Sequence, residues 1–101
     1  MSKYHLTYRG GRTPETDEEA AAVMQAWNQW FTDLGDAVVD GGHPLGPVQT
    51  IEPGGAVRDG GDVTGYSIIT AVDLSDAVTK AKGCPILSDG GTVEVGECVD
   101  M

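Results

Sequence analysis

Basic side chains are scarce in this chain: six lysines and arginines stand against 16 aspartates and glutamates in 101 residues, a formal net charge of -10. A surface so negative repels phosphate backbones and anionic headgroups, so neither nucleic acid nor a membrane surface is expected as a partner. Long apolar runs are missing too. No segment approaches the about 18 apolar residues of a membrane span, and MSKYHLTYRGG has no apolar core behind a basic start, so a cytoplasmic protein is expected. Two cysteines, Cys84 and Cys98, make neither a disulfide framework nor a short-spaced metal pair, and both are expected as thiols. Cys84 follows a helix C-terminus, where the dipole raises a thiol pKa, which argues against a reactive thiolate. The glycine clusters match neither G-x-G-x-x-G nor a P-loop, and no H-x-x-x-H, C-x-x-C or G-x-S-x-G occurs. The chain is therefore expected to carry no cofactor and no metal.

What is present is organised around Thr16 to Leu34, TDEEAAAVMQAWNQWFTDL, which reads as one amphipathic helix. Thr16 and Glu19 form a capping box, and Asp17, Glu18 and Glu19 put negative charge at the positive end of the dipole. Gly35 supplies the stop. Ala20, Val23, Met24, Trp27, Trp30, Phe31 and Leu34 share one stripe, expected to be buried against a sheet.

Lys3–Arg9 alternates Tyr4, Leu6 and Tyr8 with His5, Thr7 and Arg9, the period of a strand with one apolar side. Ala37–Asp40 is a short strand, followed by the stiff loop Gly41-Gly42-His43-Pro44-Leu45-Gly46-Pro47. Val48–Ile51 and Ala56–Arg58 flank Pro53-Gly54-Gly55 as a small hairpin. Gly65–Val72 is the most strand-like run, expected as a central strand covered on both sides. Asp73 caps a second helix with Leu74, Ala77, Val78 and Ala81 at i, i+3, i+4 and i+7, and Gly83 closes it. Thr92–Glu97 is the last strand.

The order β-α-β, an excursion, then β-α-β predicts a single α+β domain over residues 1–101: a ferredoxin-like βαββαβ sandwich with a small extra hairpin and both helices on one sheet face. Ile69 and Ala71 lie on the strand face opposite Ile68, and a bare sheet face carrying them would be an apolar patch. A homodimer with sheets packed face to face is therefore expected.

The segments SKYHLTYRG, AAVMQAWNQWFTDLG, VVDGGHPLGP and GYSIITAVDLSDAVTKAKGCPILSDGGTVEVGE resemble, in order, those of the YCII-related proteins, in particular the branch named for a DGPF motif. The resemblance covers most of the chain and implies a ferredoxin-like subunit forming a dimeric α/β barrel. It also implies roles of the kind found among relatives, some in the breakdown of aromatic compounds and, in the DGPF branch, in association with alternative sigma factors. Two departures bear on chemistry. Asp59-Gly60-Gly61-Asp62 stands where the branch has Asp-Gly-Pro-Phe, and the first helix has Met24 near the position of the histidine in the family's proposed His-Asp dyad, so that dyad does not carry over.

Among residues able to do chemistry, His43 sits on the stiff loop at a strand end with Asp40 three residues before it, an acid-base pair in reach of each other. A solvated loop histidine fits the same pattern. Trp27 or Trp30 would wall a pocket beside His43 in the ferredoxin-like arrangement; plain core packing is the other reading of both. His5, Thr7 and Arg9 form a second set on one strand face, pointing into a dimer barrel, with Glu94 or a ligand acid as partner for the arginine. Interface hydrogen bonds account equally for the three. The expected function is binding of a small organic molecule in the barrel or the loop pocket, with acid-base chemistry by His43 and Asp40. The alternative is a non-catalytic regulatory or protein-interaction module.

Overall fold

The computed structural model describes residues 1–101. Six strands and two α-helices follow in the order β1 (Ser2–Arg9), α1 (Asp17–Leu34), β2 (Val38–Asp40), β3 (Gln49–Ile51), β4 (Val57–Asp59), β5 (Val63–Ala71), α2 (Leu74–Ala81) and β6 (Thr92–Glu97). Short 3-10 turns at Gly35–Ala37 and Pro85–Asp89 connect helix to strand. The main sheet has the order β2-β5-β1-β6 with every pair antiparallel, and β3-β4 is a separate two-stranded ribbon. The chain is thus α+β with a small antiparallel sheet and two helices, compatible with a ferredoxin-like fold. The sheet of one chain is open and does not close into a barrel.

The helix ends follow from local chemistry. Thr16 Oγ1 accepts from the Glu19 backbone N–H at 3.0 Å, while the Glu19 carboxylate reaches back to the Glu15 N–H at 2.9 Å, one residue beyond a simple capping box. At α2, Asp73 accepts from the Asp76 N–H at 2.8 Å and Asp76 accepts from the Val72 N–H at 3.0 Å. Asp76 also meets Lys80 at 3.3 Å, and the Val72 bond first, then Lys80, holds its carboxyl below the usual range.

The core lies between the sheet and the helix layer: Tyr4, Leu6 and Tyr8 from β1, Ile69 and Ala71 from β5, Ala77 and Ala81 from α2, then Cys84, Ile86 and Trp30. Tyr4 pairs with Ile69, Leu6 with Ser67 and Tyr8 with Gly65, so the alternation of both central strands falls in step. This corrects one expectation. Ile69 and Ala71 are fully buried beneath the helices, and the open face carries His5, Thr7, Arg9, Tyr66, Ile68 and Thr70, all half-buried. β5 is central in the sheet yet covered on one face only. The molecule measures 43 × 39 × 19 Å, and 19 Å is about the thickness of one sheet and one helix layer.

The stripe of α1 is buried less than its pattern predicts. Trp30 alone is buried; Val23, Trp27, Phe31 and Leu34 are half-buried, whereas Ala20 is exposed and Met24 is 65% exposed. An 18-residue helix spans about 27 Å. Its C-terminal half docks through Trp30, and its N-terminal half overhangs the sheet.

Cys84 is buried and Cys98 exposed. Burial pushes the Cys84 thiol up to about 11, so desolvation, more than the preceding helix end, keeps it protonated. A thiol-reactive chromophore at pH 8 is therefore expected to titrate one cysteine per native chain and two in denaturant. Two fast thiols in the native protein would place Cys84 outside the core.

A pocket under the overhanging helix

The overhang of α1 and the loop after β2 flank a partly open cavity of about 370 Å³. Val23, Met24, Trp27 and Phe31 come from the helix, Tyr8 from β1, Gly41 to Pro44 from the loop, and Thr64 to Tyr66 from β5. The loop is held where it is by backbone pairing to β5: the Leu45 N–H donates to Thr64 O at 2.9 Å, and Pro44 bridges Gly65.

Beneath the cavity runs a relay of buried hydroxyls. Tyr8 Oη donates to Ser67 Oγ at 2.7 Å, and Ser67 Oγ donates to Gly41 O at 2.8 Å. Burial raises the Tyr8 phenol well above its ordinary range, against a smaller lowering from the Ser67 bond, so it stays a neutral donor. In the aromatic wall Tyr8 and Trp27 pack edge to face at 5.0 Å and 76°, and Trp27 is backed edge to face by Trp30 at 5.7 Å and 79°.

Of the residues singled out from sequence, Trp27 and His43 line this cavity together. Trp30 does not line it: it is 6% exposed, and its indole N–H donates to Lys80 O at 3.2 Å. Asp40 does not bond His43. One carboxylate oxygen accepts from the Gly42 N–H at 2.8 Å and the other from Tyr66 Oη at 3.3 Å, so its two oxygens are engaged by loop backbone and strand side chain. The charge of Asp40 raises the Tyr66 phenol in turn. His43 is exposed at the rim, edge-on to Tyr66 at 6.5 Å.

The second set lies on the open sheet face, away from the helix layer. His5 stacks on Tyr66 at 5.7 Å and 4°, and its Nδ1 meets Thr7 Oγ1 at 3.1 Å. Arg9 donates to Glu94 at 3.0 Å, as its position suggested, and also to Asp62 at 2.8 Å. The Glu94 bond leads the rise in its pKa. Tyr66 therefore joins the two sets, touching His5 on the sheet face and His43 at the pocket rim.

Tyr66, Tyr8 and Ser67 carry more of this site than sequence reasoning assigned them. One signal pointed to Tyr8: a tyrosine on the buried side of an alternating strand needs a partner for its hydroxyl. No three histidine, cysteine or carboxylate side chains gather closely enough to hold a metal ion, and no helix is long and apolar enough to cross a membrane. Comparison of the chain with family models, with curated proteins and with solved structures finds no match.

Proposed function

We propose that the protein binds a small organic molecule in the cavity between α1 and the loop after β2. The observation that carries this is the cavity itself, about 370 Å³ with an aromatic wall and the His43 loop at its mouth. That volume suits a compact ligand, and an apolar lining with few polar groups is the usual character of such sites. His43, the one imidazole at the rim, is the candidate acid-base group. Asp40 acts at one remove, as the residue that positions Gly42 and Tyr66. The resemblance to the YCII-related proteins, some of which act in aromatic breakdown, agrees with a ligand of this size.

A fragment screen by two-dimensional amide NMR tests the reading. Binders are expected to shift the amides of Gly41, Gly42, Thr64 and Gly65 and the indole N–H of Trp27 while leaving that of Trp30 in place. In His43→Ala, any turnover found is expected to vanish with binding retained. Binders that moved Gly83 and Ser88 instead, or no binders at all, would remove the proposal.

A homodimer through the open sheet face, closing the two sheets into a barrel, belongs to the same proposal. The polar groups there are already paired: Arg9 has two carboxylates and His5 has Thr7. Arg9 and His5 therefore keep their partners when the face is covered, while the second carboxylate and Lys3 are charges that the partner chain has to meet. Sedimentation at micromolar concentration is expected to give a dimer, with Ile68→Arg a folded monomer; a wild-type monomer throughout that range would end the dimer proposal. The alternative of a protein-interaction module has one observation of its own, the exposed Leu74, Val78 and Leu87 along a shallow apolar groove beside the edge strand β6.

A further inference from the structure

We propose that the ligand of this cavity is an organic cation, an ammonium group carried on an apolar or aromatic body; the inference rests on the cavity being a ligand site. Three aromatic side chains border it, Tyr8, Trp27 and Phe31, with the backbone of Tyr66 beside them, and no lysine or arginine does. The faces of such rings carry negative potential and attract cations, most strongly for tryptophan. A carboxylate in the same place would face those rings with His43 as its one side chain able to bear positive charge.

Two backbone sources of positive potential beside the cavity are already spent. The N-terminus of α1, near Pro14 and Ala20 on the cavity wall, is capped by Thr16 Oγ1 and carries Asp17, Glu18 and Glu19 in its first turn. The Gly42 N–H in the loop is donated to Asp40. An incoming anion finds neither a free helix end nor that amide. At longer range the net charge of -10 concentrates cations and depletes anions at the surface, and low-dielectric walls sharpen that field inside a cleft. Local rings and global charge act in the same direction.

The test is a matched series of one aromatic body with three charges: benzyltrimethylammonium, benzyl alcohol and phenylacetate. Isothermal titration in buffer of physiological salt is expected to give saturable one-to-one binding of the cation, with a Kd at least tenfold below that of phenylacetate and the alcohol between them. Trp27→Leu, which keeps the wall apolar but removes its best cation-binding face, is expected to weaken the ammonium at least fivefold and the alcohol by less than twofold. Phe31→Leu is expected to do the same in smaller measure, and it serves if the Trp27 variant does not fold. Phenylacetate binding as tightly as the ammonium overturns the charge assignment and leaves the ligand site standing. If none of the three binds, the ligand site itself fails.

Discussion

Replacing Trp30 by alanine is expected to cost about 3–5 kcal/mol of folding stability, the range for truncating a buried aromatic side chain. For a domain of this size that is a large part of the about 5–15 kcal/mol available. Trp30 is the one buried residue of α1. Its ring packs against Gly83, its N–H reaches Lys80 O, and Trp27 and Phe31 lean on it at ring separations of 5.7 and 5.1 Å. Trp30 is thus the most deeply buried point of the long helix, with Trp27, Phe31 and Leu34 packed around it against the core. Trp30→Phe separates packing from hydrogen bonding: most of the ring stays, the N–H is lost, and about 1 kcal/mol is the expected cost beyond the smaller ring. Met24→Ala, on the same stripe but exposed, should change stability by less than about 0.5 kcal/mol. Urea unfolding at one fixed protein concentration measures all three. A Trp30→Ala cost no larger than that of Met24→Ala would mean that α1 is docked some other way.

That contrast shows how far the helix was legible. The three- and four-residue spacing identifies which face of α1 is apolar, and Trp30 and Met24 satisfy it equally. Periodicity carries no information on how much sheet lies beneath. The overhang arises because the sheet and α2 meet only the C-terminal half, and the cavity exists for that reason. The alternation of Tyr4, Leu6 and Tyr8 told which side of β1 is inside. In β5 it did not, because Ile68 and Ile69 are the same residue type on opposite faces. The small residues Gly65, Ser67 and Ala71 mark the buried side: helices approach closely where side chains are short, and Ile69 shares that side with them. The pairing of Asp40 with His43 failed for a local reason. An aspartate bonds readily to the backbone N–H two residues on, and Gly42 is that residue. A three-residue spacing in a loop brings two side chains near each other only if neither has a closer partner.

Gly42→Ala is expected to destabilise the protein by about 3 kcal/mol and to weaken any ligand of the cavity at least tenfold, the second consequence following from the first. Gly42 has φ +73, and a Cβ there would run into the Tyr66 carbonyl oxygen and stand 2.7 Å from its carbon. Neither obstacle is a flexible side chain that can swing aside; the carbonyl belongs to the central strand β5. The loop must therefore lift, and lifting it breaks the Asp40 bond to the Gly42 N–H, loosens the Leu45 bond to Thr64 and carries His43 away from Tyr66. The cavity loses one wall while the core under Trp30 is untouched, so the variant should keep its two-layer fold and its Trp30 environment. Gly46→Ala is the control: the same loop, no positive φ and open space around the added carbon, with an expected change below about 0.5 kcal/mol. Thermal or urea unfolding reads the first effect and titration with a cavity ligand the second. If Gly42→Ala matched Gly46→Ala in both, the loop would not be held against β5 at this glycine, and His43 would have no fixed place at the mouth of the pocket.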